Sequence, residues 1–303
     1  ALAIILVLFS LGALQERQEK KELAFHESLR KGRELLERGE GEAIREFENT
    51  VNLAWDKDSE ASAKLELGLA YELQDLIKAA AILKEVVENE TYQNAYRASA
   101  INALLEIHIT TGDRNFAEQY IFTNEEPWKS FKGGVTIEEA TLKAYEWSNS
   151  LFPTSEASYR IALWSGYILA ADKLFSLQLL TPENKSVYMD RFTANFEKGN
   201  ELFAKETETY LLYPSRYAIA FDLRGMLFAM DYIINNNQEA KPKVEESYAT
   251  AITLLEKNKT LQRYKNIARF VLYHEAVWLS FLASKGEDHK ETVKHLVSEI
   301  IAE

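Results

Sequence analysis

Residues 65–87 read LELGLAYELQDLIKAAAILKEVV, and the spacing inside this stretch decides the fold. Leu67, Gly68 and Tyr71 are followed by Ala80, a small residue where two helices cross closely and larger apolar ones on either side. The same arrangement recurs outward in both directions. Upstream, GEGEAIREFENTV places Ala43 four residues before Phe47; downstream, NALLEIHITTGDRNFAEQYI carries Gly112, Ala117 and Ile121. Ala43, Ala80 and Ala117 are 37 residues apart (43 to 80, then 80 to 117). A fixed period of this size marks an array of helix–turn–helix units, each too small to bury its apolar face alone.

On these residues, residues 25–122 resemble the tetratricopeptide repeat (TPR) family. The likeness is carried by Leu67-Gly68-Leu69-Ala70-Tyr71 with Ala80, and by Gly112-Asp113 with Ala117 and Ile121. No Pro closes these repeats, His108 stands at the usual Tyr position, and Lys84 falls where a large apolar residue is expected. The resemblance implies an all-α, TPR-like solenoid of stacked helix hairpins whose concave face holds other polypeptides. Its repeat-packing residues would be Ala43, Phe47, Leu67, Gly68, Tyr71, Ala80, Ala117 and Ile121.

After Phe122 the period breaks at TNEEPWKSFKGGVT, where Pro127 and Gly133-Gly134 predict a loop insertion over 123–135. Helical patterns then resume near 136–150, 155–180, 183–208, 214–234, 239–257, 261–285 and 287–302. Pro153, Pro182 and Pro214 lie close to predicted starts, where a missing N–H costs little. The chain therefore divides into an apolar helix with a charged continuation (1–22), TPR-like repeats (23–122), the insertion (123–135) and a further helical-hairpin solenoid (136–303).

Composition agrees with helices and narrows the functional classes. Only 12 Gly and 5 Pro occur in 303 residues, and the net charge is −12. A nucleic-acid partner would need a basic face, and the one basic stretch, RQEKKELAFHESLRKGR, is interleaved with Glu. Cys is absent, which removes disulfides and thiolate metal sites. At His274, HEAVW opens like a zinc-protease helix, but Trp278 occupies the second His position. No Gly-rich phosphate loop or nucleophile elbow is present. The carboxylate pairs Glu125-Glu126, Glu138-Glu139 and Glu245-Glu246 lie in polar stretches that read as surface. The expectation is no catalytic residue, no metal and no cofactor. Aromatic groups at Tyr210, Tyr213, Tyr217, Phe221 and Phe228, and at Trp147, Tyr159, Trp164 and Tyr167, read as core at helical spacing. Asn89, Asn184 and Asn258 head N-glycosylation sequons.

The remaining feature is the start, ALAIILVLFSLGAL, followed at once by QERQEKKE. A helix of this length measures about 21 Å, against about 30 Å of bilayer hydrocarbon, and it shows no polar face. Ala1–Leu14 with its charged continuation resembles the apolar helix of type IV pilins, although Ile5 stands where that family carries Glu. The resemblance implies a processed terminus and a filament in which such helices bury one another. The contact residues would be Leu2, Ile4, Ile5, Leu6, Leu8, Phe9, Leu11 and Leu14, on a projecting N-terminal helix. A signal anchor that tethers a TPR-like adaptor to a membrane through residues 1–14 is the alternative, and a first core helix is the third reading. The expected function is a non-enzymatic structural subunit of a surface filament or pilus-like assembly. Its partners would be other protein chains, chiefly copies of itself, at the cell surface or outside the cell; otherwise it is membrane-anchored.

Overall fold

The computed structural model describes residues 2–72, 74–132, 137–175, 180–206, 214–257 and 262–302; within its helices, the side chains of 2–14, 110, 132, 138, 175, 214, 262–266 and 301–302 are outside the description. Among the described residues every regular element is helical. The chain forms two compact units, Ala1–Ala144 and Tyr145–Glu303.

In the first unit, α1 (Leu2–Glu37), α2 (Glu42–Leu53), α3 (Lys57–Tyr71), α4 (Leu76–Glu88) and α5 (Asn94–Thr111) follow one another, each packed on the next. Next, α6 (Arg114–Phe116) runs straight into a π-helical turn, Ala117–Ile121, that packs on α4 and α5. Local chemistry sets the starts. Asp56 and Ser59 form a capping box at α3, and Asp75 and Asp113 accept the N–H groups of Lys78 and Phe116. Gly112 takes a φ of 63° to end α5, a conformation other residues adopt at a cost.

The 37-residue period corresponds to equivalent burial. Ala43, Ala80 and Ala117 are all at most 1% exposed, as are Phe47 and Ile121. Gly68 sits where α3 meets α4: a Cβ there would lie 2.7 Å from Leu83. Gly32 does the same between α1 and α2, where a Cβ would lie 2.6 Å from the Phe47 ring. The second half of α1 is thus the first helix of a pair with α2. Lys84, whose side chain is largely buried, carries its ammonium to Thr123 Oγ1 at 3.2 Å and to Glu88 at 3.8 Å.

The 123–135 stretch differs from the loop expected of it. It contains a short helix, α7 (Trp128–Lys132), whose Trp128 is fully buried against Phe122 and Phe131 and donates its Nε1–H to Glu88 at 3.0 Å. The aromatic anchor overrides the flanking turn signals; Gly133-Gly134 lies outside the described residues.

A polar network also braces this unit. Lys64 donates to Glu60, Glu85 and Tyr92, and Lys57 donates to Glu60. The Lys57 and Lys64 hydrogen bonds hold the Glu60 carboxyl at about 2, below its ordinary 4.5. A carboxyl depressed by folding contributes stability that is fully present above its unfolded value and is lost as pH falls through its folded one. Acid titration should therefore cost the first unit about 1 kcal/mol between roughly pH 4.5 and 2, the shift being discounted for solvent. Glu60→Gln should abolish that increment in urea-unfolding curves measured across the range.

In the second unit α8 (Ile137–Leu151), which spans the division, is followed by α9 (Ser155–Phe175), α10 (Pro182–Lys205), α11 (Pro214–Asn235), α12 (Ala240–Glu256), α13 (Gln262–Ser284) and α14 (Lys290–Ala302). The helix α11 is central, packed on α9, α12 and α13, while α9 also packs on α10 and α13 on α14. Tyr159, Phe192, Leu227, Val244 and Leu282 are core residues here. Thr181 caps α10 by accepting the Asn184 N–H, and Pro182, close to a predicted start, opens the helix.

Candidate functional site

The residues expected to make assembly contacts, Leu2, Ile4, Ile5, Leu6, Leu8, Phe9, Leu11 and Leu14, all belong to α1, whose backbone is helical from Leu2 to Glu37. Their side chains lie outside the described residues. Among the described residues no helix is long and apolar enough to cross a membrane.

From Gln15 the side chains are described, and α1 changes character along its length. Gln15–Lys20 is exposed on every face. Its polar groups serve one another four residues apart: Gln15 donates to Glu19, Gln18 to Glu22 and Lys20 to Glu16, at 2.9, 2.9 and 2.6 Å. Such exposed pairs each add only about 0.2–0.5 kcal/mol, but they suit a helix standing in water.

Seating begins at Lys21, whose ammonium donates to the Ala54 carbonyl at 2.8 Å. Phe25 meets Trp55 edge-on, and Leu29 and Leu36 are buried. Ser28 forms a buried hub: it donates to the Glu46 carbonyl and receives Asn49 Nδ2–H and Thr50 Oγ1–H, at 3.0–3.1 Å. Lys31 pairs with Glu46, and Arg33 donates two N–H groups to the buried Glu66 carboxylate at 2.9 and 2.7 Å. The long first helix is therefore rigidly rooted in the first unit through its second half.

Of the residues read as repeat-packing, Ala43, Phe47, Ala117 and Ile121 are buried. Leu67 and Ala80 are buried, and Gly68 makes the close contact with Leu83. Tyr71 is only half-buried; it donates its hydroxyl to Glu48 at 3.1 Å and lies beneath the Lys78 ammonium. Of the sequon asparagines, Asn184 is exposed, Asn89 accepts from its own Thr91 in a turn, and Asn258 lies outside the described residues.

The second unit holds a pair that sequence spacing does not reveal. His274 on α13 faces Asp222 on α11, its Nδ1 2.8 and 3.0 Å from the two carboxylate oxygens. Asp222 is buried and His274 partly exposed, so the pair ties the two helices together and fixes the imidazole. No group of three His, Asp or Glu among the described residues is placed to hold a metal ion. Tyr167, expected in the core, is 47% exposed, with its hydroxyl reaching Met226 Sδ at 3.3 Å. Tyr159 is fully buried as expected, and Tyr210 and Tyr213 lie outside the described residues. The pairs Glu125-Glu126 and Glu245-Glu246 are exposed.

A scan against protein-family models, a search of curated proteins and a search of solved structures each returned no match to this chain.

Proposed function

We propose that the chain is a non-enzymatic structural protein, a subunit of a surface filament or pilus-like assembly. In it the apolar start of α1 is buried against neighbouring copies, and TPR-like helix pairs stacked as a solenoid make outward contacts with other proteins. The observation that carries this reading is the division of labour within α1. One unbroken helix is rooted in the first unit from Lys21 onward and is solvated on all faces over Gln15–Lys20. A uniformly apolar segment lies beyond that stem. Each Leu or Ile left in water forgoes about 1.5–3 kcal/mol of burial, so such a segment favours a partner that covers it. The acidic balance, −12, sets that partner apart from nucleic acid. The setting that follows is extracytoplasmic, at the cell surface.

A second reading, a membrane-anchored TPR-like adaptor, is favoured by the direct passage from the apolar run into the charged run Gln15–Glu22. Removing residues 1–14 tests what the readings share. The shortened chain should remain helical and become monomeric in sedimentation. Unfolding of the shortened chain would show instead that the apolar segment belongs to the fold's own core.

A further inference from the structure

The sequon Asn89-Glu90-Thr91 forms the turn between α4 and α5. Asn89 ends α4 with an extended backbone, φ −80° and ψ 97°, while its N–H still closes on the Glu85 carbonyl. Its side-chain oxygen Oδ1 accepts the backbone N–H of Thr91 at 3.1 Å and the Thr91 hydroxyl at 2.7 Å. The Asn89 carbonyl accepts the Tyr92 N–H at 3.1 Å, so an Asx turn is nested in a β-turn. Tyr92 anchors this turn from beneath: it is 3% exposed, and its hydroxyl accepts from the Lys64 ammonium at 3.3 Å. Glu90 and Thr91 are exposed and Asn89 is partly so, which puts the tripeptide at the surface of the first unit.

The turn divides the Asn89 amide between two tasks. Oδ1 is held on Thr91, and Nδ2 is the end that the turn does not use. Two donors on Oδ1 polarise the amide and make an Nδ2 proton easier to remove. Asn184-Lys185-Ser186 carries the same residue pattern on a different backbone. It lies in the first turns of α10, where Thr181 accepts the Asn184 N–H through its hydroxyl and the Lys185 N–H through its carbonyl. The helix directs the Ser186 N–H to the carbonyl four residues back, so the turn made at Asn89 cannot close there.

We propose that Asn89 is an acceptor for an N-linked oligosaccharide, and that Asn184 in the folded chain is not. The donor is an oligosaccharide activated as a polyprenyl diphosphate ester, brought by a transferase. The Asn89 Nδ2 attacks the anomeric carbon and a C–N bond forms. The C–O bond to the diphosphate breaks, its electron pair leaves with the lipid diphosphate, and the Nδ2 proton passes to a base of the transferase. Nothing is oxidised or reduced. The sugar then projects from an exposed turn into water, and the fold keeps its contacts. Use of the site in the cell rests on the extracytoplasmic setting proposed above; the acceptor geometry belongs to the first unit alone.

The folded full chain, incubated with a purified oligosaccharyl transferase and a polyprenyl-diphosphate oligosaccharide, tests this by mass spectrometry of the intact protein and its peptides. A glycan is expected on Asn89. Asn89→Gln and Thr91→Ala should each abolish it, and circular dichroism should show both variants folded. Thr91→Ser keeps both donors to Oδ1 and should retain transfer, and Asn184→Gln should leave it unchanged. No glycan on Asn89, or a glycan on Asn184 of the folded chain to an equal or greater extent, would overturn the proposal. Transfer to Asn89 in a chain that forms no fibres would contradict the filament reading and leave this site standing.

Discussion

Trp128→Ala is expected to lower the stability of the first unit by about 3–5 kcal/mol, the range for truncating a fully buried aromatic side chain. The indole is 0% exposed and sits edge-on to Phe122 and Phe131. Its loss would leave a cavity beneath the five-residue helix α7. Trp128→Phe should cost less. It keeps an aromatic ring at the site and loses the rest of the indole together with the Nε1–H to Glu88, a carboxylate that is 40% exposed and finds water instead. Urea unfolding followed by circular dichroism gives both numbers. A loss below about 1 kcal/mol for Trp128→Ala would mean that the 123–135 stretch behaves as an undocked loop.

Arg33→Ala is expected to have a comparable effect, about 3–5 kcal/mol, for a different reason. Glu66 is 4% exposed at its side chain, and Arg33 supplies two hydrogen bonds to one of its oxygens. Deleting one partner of a buried pair leaves an uncompensated charge, which costs more than the pair itself contributes. The double variant Arg33→Met with Glu66→Leu removes both charges and keeps apolar volume, so it should recover most of the loss. Denaturant unfolding of the two singles and the double forms a cycle whose coupling should exceed about 1 kcal/mol. Additive losses would remove the pair from the account. Because α1 packs on α2 and α3 and Arg33 joins it to Glu66 on α3, the single variant should also loosen its rooted half, read as faster amide exchange over Phe25–Leu36.

Both variants probe features that differ sharply in how visible they are in sequence. The alanines at 43, 80 and 117 and Gly68 are visible, because a close helix crossing admits only small residues and the crossing repeats. Gly32 obeys the same rule one period earlier, yet its helix is dressed with Lys, Arg and Glu and reads as a solvated one. Trp128 is hidden by Pro127 and the following glycines, since turn signals act locally and the indole finds its site from Phe122 and Glu88 by tertiary contact. Asp222 and His274 are 52 residues apart. No local spacing rule links such partners; only the packing of α11 on its neighbours does. The apolar start is the reverse case: its need for cover is plain from composition, while the identity of the cover is not written in its own residues.

The apolar segment of α1 and the company it keeps are central to this account. Electron microscopy of the full chain, purified without detergent or lipid, addresses it most directly. The proposed assembly predicts fibres with a regular axial rise, the folded units decorating an inner bundle of first helices. Discrete particles without polymer, which associate only once lipid vesicles are supplied, would contradict it.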